Sequence, residues 1–363
     1  MGQPLPSPPS RLLVVKVHGM GDAVLVRSAI EHLRCRNESL SLGILAGDAT
    51  EEVLAVGGNF RLHRYSQKNL TLRSALRTLH EIRACSYDAL VNFEQASLAG
   101  SGFLHATGIP TRIGFVGNES RAKIRFLTHA IGFRGGVSMW QSFLAIARLI
   151  DRRLPDLLVP LPLPLSEEQL RAGRSWLMSR VTNPRARKIA FHLGCGSGQP
   201  FKRWPLLNFA SLADGFSHCD PNPAIILTGQ PHERALLAQF RSIYKGPSID
   251  GTGLDSITMT ASVLKECDLL VSNDTGVMHL GAAMGTPTVG LFGATSAEQW
   301  APAGTRVTHV YETTAQCSPC VDSYRNIVPT RCANPDYGRC MAEIQIDSVL
   351  NAARRVVVGG WLT

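Results

Sequence analysis

The sequence predicts an α/β fold of two parallel-sheet halves facing across a cleft, and three observations predict it. Short apolar runs alternate with amphipathic stretches along the whole chain. Two of these runs, Leu12 to Val17 and Lys188 to Leu193, lead into glycine-containing turns followed by helical patterns. Between the halves, Pro155, Pro160, Pro162 and Pro164 punctuate residues 154–165 at a spacing that forbids a helix and favours an extended linker. A chain of 363 residues is long for one core. Residues 11–160 are therefore expected to form one domain and residues 166–342 a second, with a cleft between them as the natural small-ligand site. A last helix over residues 343–358 is expected to cross back and pack on the first domain.

Hydrophobic residues make up 44% of the chain and charged ones 18%, a balance that builds a core and excludes a disordered chain. No apolar run reaches the length of a membrane span, and Met1 to Ser10 is Pro-rich without the apolar centre of a signal peptide, so a cytoplasmic location is expected. The net charge of +9 is uneven: residues 1–165 carry 19 Lys and Arg against 12 acids, residues 166–363 carry 18 against 16. No interleaved aromatic pattern, zinc finger or basic helix accompanies this excess, which argues against nucleic acid. An acidic acceptor or an anionic membrane surface is the expected partner of the basic first half.

In the first half, the opening strand enters His18-Gly19-Met20-Gly21-Asp22 and an amphipathic helix to about Leu33. A dinucleotide fingerprint would place a small residue where Val24 stands, so the dehydrogenase pattern is poorly met. Asp22 stands at the carboxyl edge of the sheet, as a general base or as a helix cap. Strands follow at Ser41 to Leu45, Leu62 to Tyr65, Tyr87 to Phe93 and Thr111 to Phe115, with helices at Leu70 to Ala84 and Met139 to Ile150. Arg121, Lys123, Arg125, His129 and Arg134 form a cation-rich segment, either a solvated loop or an acceptor-binding surface for which Arg121, Lys123 and Arg125 are the candidates.

The second half opens with Ser166-Glu167-Glu168-Gln169 as a helix cap. After its first strand, Gly194, Gly196 and Gly198 allow close approach of an anion, and Lys202 and Arg203 add charge before Trp204-Pro205 starts a helix. A Walker ending is absent. Pro223 to Thr228 is the next strand, and Glu233 beyond it is either a ribose contact or an exposed helix-start acid. Leu254 to Glu266 is a helix. Asp268 to Val271 then reads as a buried strand, with Ser272-Asn273-Asp274 supplying N-capping side chains for a helix opened by Thr275. That helix should end near Gly285, before the strand Thr288 to Phe292. Its free N–H groups and positive end make a docking place for phosphate.

Asp274 to Leu280, Phe201-Lys202-Arg203-Trp204-Pro205, Leu291 to Thr295 and the Gly21-Asp22 turn, in this order and at these separations, resemble the heptosyltransferases of glycosyltransferase family 9. The resemblance covers about Leu12 to Arg355 and implies two Rossmann-like domains of the GT-B type. It implies an inverting, metal-independent transfer of heptose from an ADP-activated donor to the lipopolysaccharide core, with no catalytic cofactor. Asp22 would be the catalytic base; Lys202 would neutralise the diphosphate; Asp274, Thr275, Gly276 and His279 would bind the donor. The implied partners are an ADP-sugar, a lipid-linked acidic glycan and the inner-leaflet surface, with peripheral attachment there. His18-Gly19 stands where the family usually carries two serines, and the family's ribose-contacting acid has competing matches in Gln230, Pro231 and Glu233. Donor base and sugar are thus less fixed than the transferase class.

Cys317, Cys320, Cys332 and Cys340 follow the pattern C-x2-C, eleven residues, C, seven residues, C. This is the outline of a four-thiolate structural zinc or iron site, with free thiols and disulfides as the alternatives. Related groups recur near this position in the family and bind iron in some relatives that modify protein adhesins. Four thiolates would close the coordination shell, so such a metal would be structural. Two other classes stand beside the transferase: an NAD-type nucleotide-dependent oxidoreductase and a catalytically silent sugar-nucleotide-binding protein.

Overall fold

The computed structural model describes residues 3–66, 68–94, 97–117, 121–133, 135–196, 198–219, 223–322, 327–357, 359 and 361–362, with only the backbone of Arg121. Contacts divide the chain into two units, Met1–Leu163 and Pro164–Thr363. The division falls in a stretch, residues 155–166, that has neither helix nor strand.

The first unit holds β1 Arg11–Lys16, β2 Ser41–Gly47, β3 Arg61–Tyr65, β4 Ala89–Asn92, β5 Thr111–Val116 and β6 His129–Gly132, in the order β3-β2-β1-β4-β5-β6. The second holds β7 Lys188–His192, β8 Ala224–Thr228, β9 Ser248–Gly251, β10 Leu269–Asn273, β11 Thr288–Phe292 and β12 Val307–Tyr311, in the order β12-β11-β10-β7-β8-β9. Neighbouring strands are parallel throughout both sheets. Each unit is thus doubly wound, and the α/β class predicted from the alternation is the one observed.

The central strands are buried on both faces, which is why they read as continuous apolar runs. Lys188–His192 packs Ile189 and Phe191 against Phe209, Phe216 and Phe240 in the core of the second unit. Ser166 caps the Glu167–Met178 helix in a reciprocal capping box with Gln169, as its sequence indicates. Among the described residues no helix is long and apolar enough to cross a membrane.

The last helix, Ile346–Val356, corrects one expectation. Its apolar face, Val349, Ala352, Ala353 and Val356, is fully taken up in the core of the second unit, where the helix packs on β11, β12 and the Leu206–Cys219 helix. An amphipathic stripe specifies that a helix must bury one face and leaves open which surface receives it.

Strand order reverses between β1 and β4 in the first unit and between β7 and β10 in the second. At such switch points the loops after adjacent strands diverge to opposite faces and leave a crevice at the carboxyl edge of the sheet. Gly47, at the end of β2, lets the backbone of β1 approach: a Cβ there would stand 2.2 Å from the Val17 carbonyl oxygen. Gly47→Ala is expected to destabilise the fold by about 2 kcal/mol, because the obstacle is backbone and cannot rotate away. Gly102→Ala, at a helical position where a Cβ meets nothing within 4 Å, is expected to be neutral or slightly stabilising. Urea denaturation of the two variants checks both.

Candidate functional site

At the switch point of the first unit, β1 ends in Lys16, and the turn that follows opens the Met20–Arg36 helix. Gly19 is the N-cap, at φ +78°, a left-handed conformation natural to glycine. No side-chain bond caps this helix, so Asp22 in its first turn is not serving as the N-cap. Its carboxylate is held instead by Lys16, whose Nζ stands 2.8 Å from Asp22 Oδ2 and 3.2 Å from Glu94 Oε1. Glu94 follows β4 and accepts the backbone N–H groups of Val17 and His18, each at 2.7 Å.

Burial alone would lower the Lys16 ammonium, but the charges of Asp22 and Glu94 outweigh it and leave Lys16 above its ordinary value. Burial would likewise raise Glu94, and His18, Lys16 and the two backbone N–H groups overcome it, holding Glu94 at about 2. Lys16 and Glu94 escaped the sequence reading. The signal was a lysine inside an otherwise apolar strand, which needs an acid partner to be tolerated there.

The switch point of the second unit is organised by Asn273, the fully buried last residue of β10. Its Nδ2 donates to the Leu193 and Gly194 carbonyl oxygens at 3.0 and 3.1 Å, and its Oδ1 accepts the Trp204 backbone N–H at 2.9 Å. Asn273 therefore ties β10 to the turn after β7 and to the turn that carries Lys202. Lys202 Nζ stands 2.8 Å from Asp274 Oδ2, and the Thr295 hydroxyl donates to the same oxygen at 2.7 Å. Burial would raise the Asp274 carboxyl; Lys202, Thr295 and His279 together bring it below its ordinary value.

These bonds correct the reading of Ser272-Asn273-Asp274 as capping side chains. Thr275 is the N-cap of the Gly276–Ala283 helix and makes no side-chain cap bond, while Asn273 and Asp274 are engaged by distant segments. Thr275, Gly276 and His279 thus surround a helix start beside the Lys202 ammonium, an arrangement that suits an anion.

Glu233 also departs from its exposed reading. It is buried, accepts the Gln230 backbone N–H at 2.9 Å, and lies where a Cβ on Gly194 would meet its Oε1 at 1.7 Å. Of Gln230, Pro231 and Glu233, the one carboxylate among the competing matches lies against the glycine turn after β7.

The structure does not gather every candidate. Lys123 and Arg125 lie on or just after the short Arg121–Ile124 helix, between β5 and the edge strand β6, with β4 and β5 separating β1 from β6. The side chain of Arg121, and Arg134 and Ser197 as a whole, lie outside the described residues.

All nine cysteines are free of disulfides. Cys317, Cys320, Cys332 and Cys340 line one cavity of about 140 Å³ together with Phe201. Burial and the neighbouring thiols raise Cys320, and push Cys340 up to about 11. The Asn334 amide donates to Cys317 Sγ at 3.6 Å and the Gly338 N–H to Cys332 Sγ at 3.5 Å. Among the described residues no three His, Cys, Asp or Glu side chains are grouped as metal ligands. The cavity wall joins the anion site: the Cys320 and Val321 N–H groups both donate to the Ala294 carbonyl, next to Thr295.

Two doubly wound units, one with a lysine-held carboxylate at its switch point and one with a cation beside an open helix start, define an α/β protein of the doubly wound, two-unit class. The chain belongs to glycosyltransferase family 9 (heptosyltransferase), whose family model matches residues 75–328. It is 26% identical over 171 residues to lipooligosaccharide heptosyltransferase 2 of Campylobacter jejuni, a match covering 46% of this chain and 50% of that one. The chain thus spans about half the length of the curated relatives it first matches. Its fold is that of E. coli ADP-heptose lps heptosyltransferase II, with a TM-score of 0.73, 18% identity, and 95% and 98% of the two chains covered. E. coli heptosyltransferase WaaC with ADP has a similar fold, with a TM-score of 0.68, 15% identity, and 94% and 98% covered.

Glu94 gives a test of the first unit's cluster. Its carboxyl is depressed from 4.5 to about 2, so its stabilisation is fully present above pH 4.5 and is lost as pH falls toward 2. Glu94→Gln is expected to cost up to roughly 3 kcal/mol at neutral pH and to flatten the stability profile across that acid window. Urea midpoints measured from pH 7 to pH 2 check it.

Proposed function

We propose that the chain is an inverting glycosyltransferase that moves heptose from an ADP-activated donor to an acidic, lipid-linked acceptor of the lipopolysaccharide-core type, working in the cytoplasm at the inner leaflet. The observation that carries this reading is the Lys202 ammonium beside the uncapped start of the Gly276–Ala283 helix in a family 9 chain. Two proteins of similar fold lend support: one is the E. coli ADP-heptose lps heptosyltransferase II, and the other is E. coli heptosyltransferase WaaC, seen with ADP.

In this mechanism Asp22 takes the proton of the attacking acceptor hydroxyl, with Lys16 fixing the carboxylate through Oδ2. The acceptor oxygen bonds to the sugar carbon as the bond from that carbon to the donor phosphate oxygen breaks, and its electron pair leaves with ADP. Charge grows on the departing diphosphate. Lys202 and the N–H groups at Thr275 and Gly276 stabilise it there, without a metal. Asp274 holds Lys202 in place, His279 completes the donor side, and Glu233 is the proposed ribose contact.

Thermal shift of the purified protein against ADP, ADP-heptose, UDP, GDP and NAD tests the donor. ADP is expected to raise the melting temperature and ADP-heptose to raise it further. A response to NAD alone would replace the reading with an oxidoreductase. Asp22→Asn is expected to lower turnover about 10²–10⁴-fold while keeping the ADP-heptose shift. Turnover that survives the change removes Asp22 from the mechanism.

The four-cysteine group enters the same proposal as a structural zinc or iron site. Its support is the C-x2-C spacing, the shared cavity and the N–H donors aimed at two of the sulfurs. Elemental analysis of protein purified without chelator is expected to find one metal per chain, and Cys320→Ser to lose it. A metal-free, equally stable preparation counts against the site.

A further inference from the structure

The Leu72–Ala84 helix carries its apolar residues in one stripe, Leu72, Leu76, Leu79 and Ile82, and only Ile82 is buried. The C-terminal half is anchored: Ile82 enters the core beneath β1 and β2 with Leu104, and the Arg83 guanidinium donates to the Ala106 carbonyl. The N-terminal half has no such cover. Leu72 is 77% exposed, and Leu70 and Leu76 are each more than half exposed. Next to it in the same layer, the Leu98–Ala106 helix exposes Leu98 at its own start, and beyond that the Arg121–Ile124 helix exposes Ile124.

Cations sit among these leucines. Lys68, Arg73 and Arg77 flank the stripe, and Lys123 and Arg125 flank Ile124. The only acid on the Leu72–Ala84 helix, Glu81, is paired with Arg77 at 2.9 Å. Across residues 95–150 the sequence has six Lys and Arg and one acid. Leucines flanked by arginines on a half-anchored amphipathic helix are the pattern of a segment that lies in a lipid interface, its apolar residues among acyl chains and its cations on anionic headgroups. A second copy of the chain would bring two cationic faces together, which charge opposes.

We infer that this face, centred on Leu70, Leu72 and Leu76 with Lys68, Arg73 and Arg77, docks the chain onto an anionic bilayer. The inference rests on the proposed lipid-linked acceptor and adds to it the surface that meets the membrane. Arginines would draw the chain to the headgroups, and the leucines would hold it there by burying area that the described residues of the unit leave exposed.

Flotation of the full chain on vesicles tests this without donor or acceptor present. The chain is expected to float with phosphatidylcholine–phosphatidylglycerol vesicles and not with phosphatidylcholine alone. Leu72→Glu/Leu76→Glu, at exposed positions that leave the core untouched, is expected to cut the bound fraction more than about tenfold, and Lys68→Glu/Arg73→Glu to do the same and to weaken the salt dependence. Both variants should keep the parent melting temperature and the ADP shift. Wild-type protein that stays off anionic vesicles, or a leucine variant that floats like wild type, overturns the inference. So does a leucine variant that changes the sedimentation mass and not the flotation, which would give the face to a second copy. Loss of the ADP response in the wild type would instead sink the transferase reading, whatever the vesicles show.

Discussion

The second unit turns on one buried carboxamide. Asn273 is out of reach of water, and its amide must find partners within the protein or cost several kcal/mol. It finds them on the turn after β7 and on the Trp204 backbone, and those bonds fix where Lys202 can stand. The Trp204 indole, itself buried, donates to the Ile344 carbonyl, so the turn is pinned from behind as well. The Lys202–Asp274 pair is thus delivered by a rigid backbone frame. A lysine on a freely rotating loop would lose more entropy on each encounter with an anion.

The two units solve one electrostatic problem in related ways. In each, a lysine largely withdrawn from water sits at the switch point and contacts an aspartate at 2.8 Å. The surroundings then divide them. Glu94 gives the first cluster a second carboxylate and so an excess of negative charge, whereas Thr295 gives the second a neutral donor and leaves the charges balanced next to a positive helix end. A surplus carboxylate suits accepting a proton, and a lysine near a helix start suits accepting phosphate.

Much of the frame was legible in the chain because local chemistry dictated it. Apolar runs next to glycine turns marked β1, β7 and β11, the apolar run before Ser272 marked β10, and Ser166 marked the helix start it caps. What escaped depends on residues distant in sequence. Glu94 meets Lys16 only because β4 pairs with β1 so that Val15 lies opposite Asn92. Asn273 and Asp274 looked like caps because local spacing permits that role, and contacts about 70 residues away claimed them instead. β6, β9 and β12 are short edge strands whose half-polar sequences carry a weak period. The receiving surface of the Ile346–Val356 helix could not be read from its own stripe.

The segment after β11 ties the thiol cavity to the anion site through main chain. Ala294 accepts two N–H groups from the loop, Gly293 lies so near Cys340 that a Cβ would come within 2.8 Å of its carbonyl oxygen, and Thr295 reaches Asp274. Residues 290–295, the Lys202 turn and the described parts of the loop, 317–322 and 327–340, therefore form one mechanical block. Recombination between relatives that divides this block would pair surfaces never fitted to each other, so a chimaera that keeps the anion site intact has to carry all three pieces together.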